Sequence, residues 1–542
     1  MQDMTGCAPS TGKRALKWGD PAREGAWSSR RRWASLALPA FFTWALCSWG
    51  IGISQFRGDE LCTWWAATLP DDGFQRLVSQ LDAVLAPYYL LMRGWIRVFG
   101  DSESAMRAPS ALAMGLCAAT TAALGERLFG RRVGWRAGWI FALIPVVSRY
   151  GQEARPYAFA ACFAALSTLL LLRLLDRPQS WKRGAAYAAA LTGLGLSHLV
   201  ALLILPAHAI CMVRLTPRSR PYVRVRRRSL ATFLLAATAG TSGDLLLAIV
   251  GAHQLPDQIG RRGTASELVG LAHKLVDGST VGSLLIGATV IAVGLRTLLS
   301  TRQPLLLKVW AALPPAFLLA TYSILHLWAL RYLLFTLPAL ALLTANALER
   351  PSANGRLRAW TTPIIVTVLV VLGLRMQLKS RSSLARASGD YRAMGQVLRT
   401  HALEGDAVAF GGREVARRIP RLALEYELRH GPKLADIFVA RSLQELGRFT
   451  AEECRPSRAC LSSTTQRLWL LTSAPPSNLF KGMPKERARL LKKEFAVSKL
   501  YPAWNANLAL LTRYRPSRVR APRSTRLPTD RGARATSSPA PG

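Results

Sequence analysis

Continuous apolar runs, each of about 18 to 22 residues and separated by arginine-rich turns, recur from Trp33 to Leu374 and leave this chain few ways to fold. In a lipid solvent every backbone N–H and C=O must be satisfied within the spanning structure, so such runs become helices or a closed barrel. These are Leu, Ala and Val runs without alternation between apolar and polar positions, which selects helices. Half of the 542 residues are hydrophobic, more than an ordinary soluble chain carries. The expected class is a polytopic α-helical membrane protein with about eleven transmembrane helices.

Taken in order, residues 1–32 are polar and end in a basic cluster, and so are expected to stay in the cytoplasm. The run from Trp33 to about Ile53 lacks a small-x-small cleavage site and reads as an uncleaved first span. Leu85–Ile96 is amphipathic with interfacial aromatics and predicts a helix lying along the membrane surface. Later spans follow, among them 137–147, 281–299 and 361–374, within a membrane domain covering 33–375. An odd number of crossings puts residues 389–513 outside the cytoplasm, despite their basic residues, because the positive-inside count applies to short loops. There Tyr391–Ala402 predicts a helix, and 406–410, 468–471 and 508–511 predict strands of a small extracytoplasmic α/β domain. Residues 514–542, rich in Arg, Pro and Ser, read as a disordered, solvated tail.

The net charge of +40 would suit a nucleic-acid binder, but the arginines punctuate apolar runs, where membrane orientation and anionic headgroups account for them. No nucleic-acid partner is expected. No glycine-rich nucleotide loop, zinc-ligand spacing or Ser/His/Asp pattern is present, which argues against an ATP-driven pump or a sugar-nucleotide enzyme. Of eight cysteines, Cys454 and Cys460 lie close together in a polar segment, and a disulfide between them is expected if that segment faces an oxidising compartment.

The adjacent acids Asp59 and Glu60 stand just beyond the first span, in a chain with 31 acidic against 71 basic residues. Such a pair can take a proton from an attacking hydroxyl or hold a divalent cation, and it can equally cap a helix or solvate a loop. Between two later spans, Gln152-Glu153-Ala154-Arg155-Pro156-Tyr157 packs polar groups around a rigid proline. Arg155 suits bidentate phosphate recognition and Tyr157 a second hydrogen bond, although an arginine at a membrane boundary commonly just meets lipid headgroups. Arg331-Tyr332 repeats that pattern before another span. His198, between two apolar runs, reads either as a hydrogen-bonded helix end or as a ligand.

As an ordered set these pieces resemble the integral-membrane glycosyltransferases of the C-type fold. The nearest likeness is to the bacterial branch related to dolichyl-phosphate-mannose–protein mannosyltransferases and aminoarabinose transferases. The set comprises Asp59-Glu60, Pro87-Tyr88-Tyr89, Phe99 to Glu103 with Arg107 to Ser110, the 152–157 loop, and Arg331-Tyr332 with Pro338. The likeness spans roughly Trp33 to Leu348. It implies transfer of a mannose-like sugar from a polyprenyl-phosphate donor to a protein, glycolipid or glycan hydroxyl. Asp59 would be the general base, Glu60 would orient the acceptor or help hold a divalent cation, and Arg155 and Arg331 would stabilise the leaving phosphate. Gln152, Glu153 and His198 would support the site. The competing expectation is a transporter or flippase of lipid-linked sugars, which ionisable residues deep in the spans or broken helices in paired repeats would favour.

Overall fold

A computed structural model describes residues 29–215, 223–258, 304–322, 329–349, 374, 377–385, 387–412, 418–455 and 457–514. The expected spans 281–299 and 361–374, the N-terminal residues up to 28 and the tail from 515 lie outside the described residues.

The chain begins with α1 (Ser29–Ser48) and then makes α2 (Gly58–Thr68), α3 (Asp71–Gln80) and α4 (Ala86–Phe99). The last of these is the expected amphipathic helix, with Tyr88, Tyr89 and Met92 buried and Leu90 and Leu91 outward. A bundle follows: α5 (Glu103–Phe129), α6 (Arg131–Leu143), α7 (Pro145–Gly151), α8 (Tyr157–Asp176), α9 (Trp181–Ser197) and α10 (Leu205–Leu215). It continues with α11 (Val223–Gln258), α12 (Leu305–Ala320) and α13 (Leu337–Glu349). Among the described residues, four helical stretches are long and apolar enough to cross a bilayer: 103–129, 157–176, 227–254 and 330–349. Large apolar side chains cover the outside of α11, where Leu235 is 72% exposed and Leu234, Leu245 and Leu246 lie outward too. A patch of that kind belongs in lipid rather than in water.

Two sequence expectations shift. The run 137–147 is not one span: Pro145 has no N–H to continue the ladder, and Ile144 before it is extended (φ −65°, ψ 116°), so the helix breaks there and α7 starts afresh. The first span, expected to run to about Ile53, ends as a helix at Ser48, and Asp59 and Glu60 lie in the first turn of the helix α2 that follows.

Helices α5 and α6 cross with their backbones nearly touching. A Cβ on Gly125 would stand 2.7 Å from the Cα of Gly134, and one on Gly134 would run into the backbone of Ala122 and Glu126. Small residues at such crossings let helices approach closely where apolar burial alone gives no driving force.

The C-terminal part is an α/β layer. Strands β1 (Ala407–Phe410), β2 (Ala435–Asp436), β5 (Arg467–Thr472), β6 (Phe495–Ala503) and β7 (Ala506–Arg513) form one sheet in the order β2-β1-β5-β7-β6. Strands β3 (Val439–Arg441) and β4 (Glu452–Glu453) pair separately. β1 runs parallel to β2 and β5, whereas β7 is antiparallel to both β5 and β6. Alternate residues of the sheet point to opposite sides. Trp469, Leu471 and Leu508 join a core shared with α14 (Tyr391–His401), α15 (Arg418–Glu427), α2 and α4, while Leu468, Leu470 and Leu511 pack beneath α16 (Lys485–Glu494). The domain and the loop helices of the membrane part therefore share one hydrophobic core. Cys454 and Cys460 are joined by a disulfide.

A valine at position 134 should cost about 1–3 kcal/mol by forcing α5 and α6 apart. Thermal melting of the detergent-solubilised protein should register that loss for Gly134→Val and not for Gly94→Val, since open space surrounds Gly94; equal melting of the two variants would refute the close crossing.

Candidate active site

Glu60 is fully buried, and both of its carboxylate oxygens are occupied. They accept from Arg107 Nε (2.7 Å) and Nη2 (2.9 Å), and from the backbone N–H groups of Arg57 (3.0 Å) and Ala154 (3.0 Å). Arg107, 1% exposed, spends its remaining donors on the carbonyls of Ile51, Ser54 and Gln55. Burial opposes the Glu60 charge, but Arg107 and these hydrogen bonds prevail and hold its carboxyl below the ordinary carboxylate range. Glu60 thus has no acceptor capacity left for a cation and does not face open space. The expectation that it orients an acceptor hydroxyl or holds a divalent metal is corrected here: it fixes the start of α2. Among the described residues no group of three or more His, Cys, Asp or Glu side chains is arranged to hold a metal ion.

Asp59, one residue earlier, points elsewhere and is 31% exposed at its side chain. Arg331 Nη1 donates to its Oδ2 at 3.3 Å. Arg155 Nη1 makes long contacts with the Asp59 carbonyl oxygen (3.5 Å) and with Thr63 Oγ1 (3.4 Å). The Nε of both Arg155 and Arg331 is buried without a hydrogen-bond partner among the described residues. Burial raises the proton affinity of Asp59, yet the charges of Arg155, Arg331, Arg57 and Arg418 outweigh it and hold the carboxyl below its usual value. Its place in the first turn of α2, at the positive end of the helix dipole, acts in the same sense.

Aromatic rings back the two arginines. The Arg155 guanidinium lies 5.9 Å from the Tyr157 ring and that of Arg331 5.4 Å from Tyr332. Tyr157 and Tyr332 are 6.2 Å apart, and His198 packs against both, at 5.6 and 4.9 Å. Asp59, Arg155, Tyr157, His198, Arg331 and Tyr332 therefore form one cluster, drawn from residues up to 273 positions apart in sequence. His198 Nδ1 accepts from the N–H of Val200 (3.3 Å), which makes it a helix-end residue.

Two other expected members lie behind the cluster. Gln152 donates to the carbonyl of Trp49 at 2.6 Å and ties a loop down, and the buried Glu153 carboxylate faces Arg57 at 4.0 Å. Sequence reasoning assigned no part to Arg107, because nothing in the residue types distinguishes a buried arginine from a boundary one. A further buried acid, Asp82, stands just before α4. That side chain is buried, accepts from Tyr89 Oη at 2.6 Å, and is pushed above the ordinary carboxylate range by burial.

Residues 85–240 match the family model described as dolichyl-phosphate-mannose-protein mannosyltransferase. The crystal structure of ArnT from Cupriavidus metallidurans in the apo state superposes with a TM-score of 0.55 at 15% identity, over 89% of this chain and 98% of that one. The same protein bound to undecaprenyl phosphate gives 0.53 and 14% over the same shares. The chain shares the fold of these solved structures. No curated protein sequence is significantly similar to it. The matched segment of the chain holds Arg107, Arg155, Tyr157 and His198, while Asp59 and Arg331 come from either side of it.

Removing the Glu60 charge strands a buried guanidinium, which costs about 3–5 kcal/mol. Glu60→Gln should accordingly lower the melting temperature sharply, and Asp59→Asn, at a partly exposed position, should hardly change it. A Glu60→Gln protein as stable as the parent would show that the pair is not the anchor described.

Proposed function

We propose that this enzyme moves a sugar, mannose-like as the family description suggests, from a polyprenyl phosphate to an acceptor hydroxyl on the extracytoplasmic side of a membrane that it crosses about eleven times. The observation that carries this reading is the convergence of Asp59 with Arg155 and Arg331: one carboxylate beside two cations whose Nε groups are unpartnered among the described residues. The undecaprenyl phosphate bound by the similar ArnT structure supports a lipid phosphate as the donor's anchor.

In this reaction the acceptor oxygen attacks the sugar's anomeric carbon, its proton passes to an Asp59 oxygen, and the bond from that carbon to the phosphate oxygen breaks. The electron pair of that bond leaves with the phosphate, whose charge rises from one toward two negative units. Arg155 and Arg331 meet the growing charge, and donors preorganised at such a place lower the barrier most. Tyr157 and Tyr332 wall the arginines on the bundle side, and Glu60, through Arg107, holds α2 so that Asp59 stays in reach. The transporter reading keeps one observation, the buried Asp244 in the 227–254 span, both of whose carboxylate oxygens lack a hydrogen-bond partner among the described residues, and has less support elsewhere in the bundle. In its interior His208 is satisfied by Thr168 (3.0 Å) and Tyr187 (2.9 Å). The four parts are then a cytoplasmic segment 1–32, a membrane domain 33–375, an extracytoplasmic domain 389–513 and the tail 514–542.

Incubating membranes with labelled polyprenyl-phosphate sugars should label an envelope fraction. Asp59→Asn should abolish that transfer with expression intact, and Arg155→Ala should raise the KM for donor more than that for acceptor. Full turnover by Asp59→Asn would remove the base assignment. The orientation has its own measurement: a membrane-impermeant thiol reagent on intact cells should label Cys454 and Cys460 only after reduction. Protection of both cysteines after an impermeant reductant would put the domain on the other side.

A further inference from the structure

The C-terminal domain does more than cover the site. Its helix α15 lies against α2, and a Cβ on Gly58 would stand 2.5 Å from the Ile419 side chain. The Ile419 side chain thus lies directly on the residue before Asp59. The dock is held at several points. Tyr426 packs on Phe56 (4.8 Å) and Trp64 (5.1 Å), Arg429 Nε pairs with Asp101 at 2.9 Å, and Arg392 Nη2 pairs with Glu103 at 2.7 Å. The first turn of α15 is thereby fixed beside the first turn of α2.

Arg418 opens α15. A cation at a helix N-terminus opposes the helix dipole, so helix stability does not explain it. Nor does ion pairing within the domain. Arg421, one turn on, bonds Asp436 and Glu453, and Arg487 bonds Glu453, but Arg418 pairs with no carboxylate among the described residues. Its guanidinium sits 5.8 Å from the Phe449 ring, which packs on Trp65 of α2 at 5.4 Å. The charge is therefore kept at the face of α2.

We propose that Arg418 is a positioning residue of the active site, a cation delivered by the C-terminal domain that holds the Asp59 carboxylate toward the acceptor while Arg155 and Arg331 take the donor phosphate. This rests on the reading of Asp59 as base. Asp59 feels Arg57 from its own segment, Arg155 from the loop before α8, Arg331 from the segment before α13 and Arg418 from α15; the buried acid Asp82 feels Asp59 and Arg418 in turn. Arg418 adds to the field that lowers the Asp59 carboxyl, so its loss should let the carboxyl take a proton at higher pH.

The test uses the full-length enzyme in detergent with undecaprenyl-phosphate-linked mannose as donor probe, following release of mannose against pH. Arg418→Gln should shift the acid limb of the kcat/KM profile to higher pH, with a loss on the order of tenfold on that limb. Arg418→Lys should restore most of it. Binding of undecaprenyl phosphate, read by thermal shift, should stay within about twofold for Arg418→Gln and weaken for Arg155→Ala. A profile for Arg418→Gln that superposes on the parent's would overturn the proposal, as would a lysine variant no better than glutamine, or loss of undecaprenyl phosphate binding. If Asp59→Asn itself turns over at the parent's rate, the base reading fails and not this one alone.

Discussion

The contact between Arg107 and Glu60 fixes what the rest of the site can be. All the donors of the guanidinium and both oxygens of the carboxylate are used, and the groups involved come from the segment after the first helix, from α2, from α5 and from the loop before α8. A charge pair buried this deeply is poor evidence for stability by itself, because desolvation consumes much of the attraction. Its value is geometric. Those hydrogen bonds tie the segments together, and in that arrangement Asp59 meets Arg331 and Glu60 meets Arg107. Of two neighbouring acids, one is wholly taken up by architecture and the other stays partly exposed beside Arg331.

The same division of labour extends to the C-terminal domain. Gln55 donates to Asp390 at 2.8 Å and accepts from the N–H of Arg392 at 3.2 Å, so the segment that Arg107 grips is also gripped from the far side. Apolar packing then unites Trp64, Trp65 and Tyr89 with Tyr426, Trp469 and Leu508. A domain joined by a polar surface alone would be expected to move. Here a continuous apolar core crosses the boundary, and α2 is clamped between bundle and sheet.

Much of this was readable in the residues and some was not. Period and length located the apolar helices, and the strands near 407–410, 467–472 and 506–513 stood out as short apolar runs. The ordered set of acids, arginines and tyrosines pointed to the cluster, because those residue types are scarce or out of place where they occur. Adjacent Asp59 and Glu60 could not be told apart, since their difference lies in which way each points from the helix. Arg107 entered only as one piece of the ordered set and Arg418 not at all, for a related reason: in a chain with 71 basic residues, an arginine carries no role until its partners are known.

On the proposed reading, one set of cations has two tasks that pull against each other. A carboxylate surrounded by Arg57, Arg155, Arg331 and Arg418 is reliably ionised, and by the same token it is a weak base. Donor binding resolves the conflict. A phosphate diester lying against Arg155 and Arg331 neutralises part of their field, and the proton affinity of Asp59 rises when a sugar is in place to be attacked. As the bond to phosphate breaks, the second negative charge strengthens the hold of the arginines on the leaving group and further relieves Asp59 of their pull. With the arginines unoccupied, Asp59 remains too weakly basic to activate a stray hydroxyl or water, so the site's reactivity is switched on by its own donor.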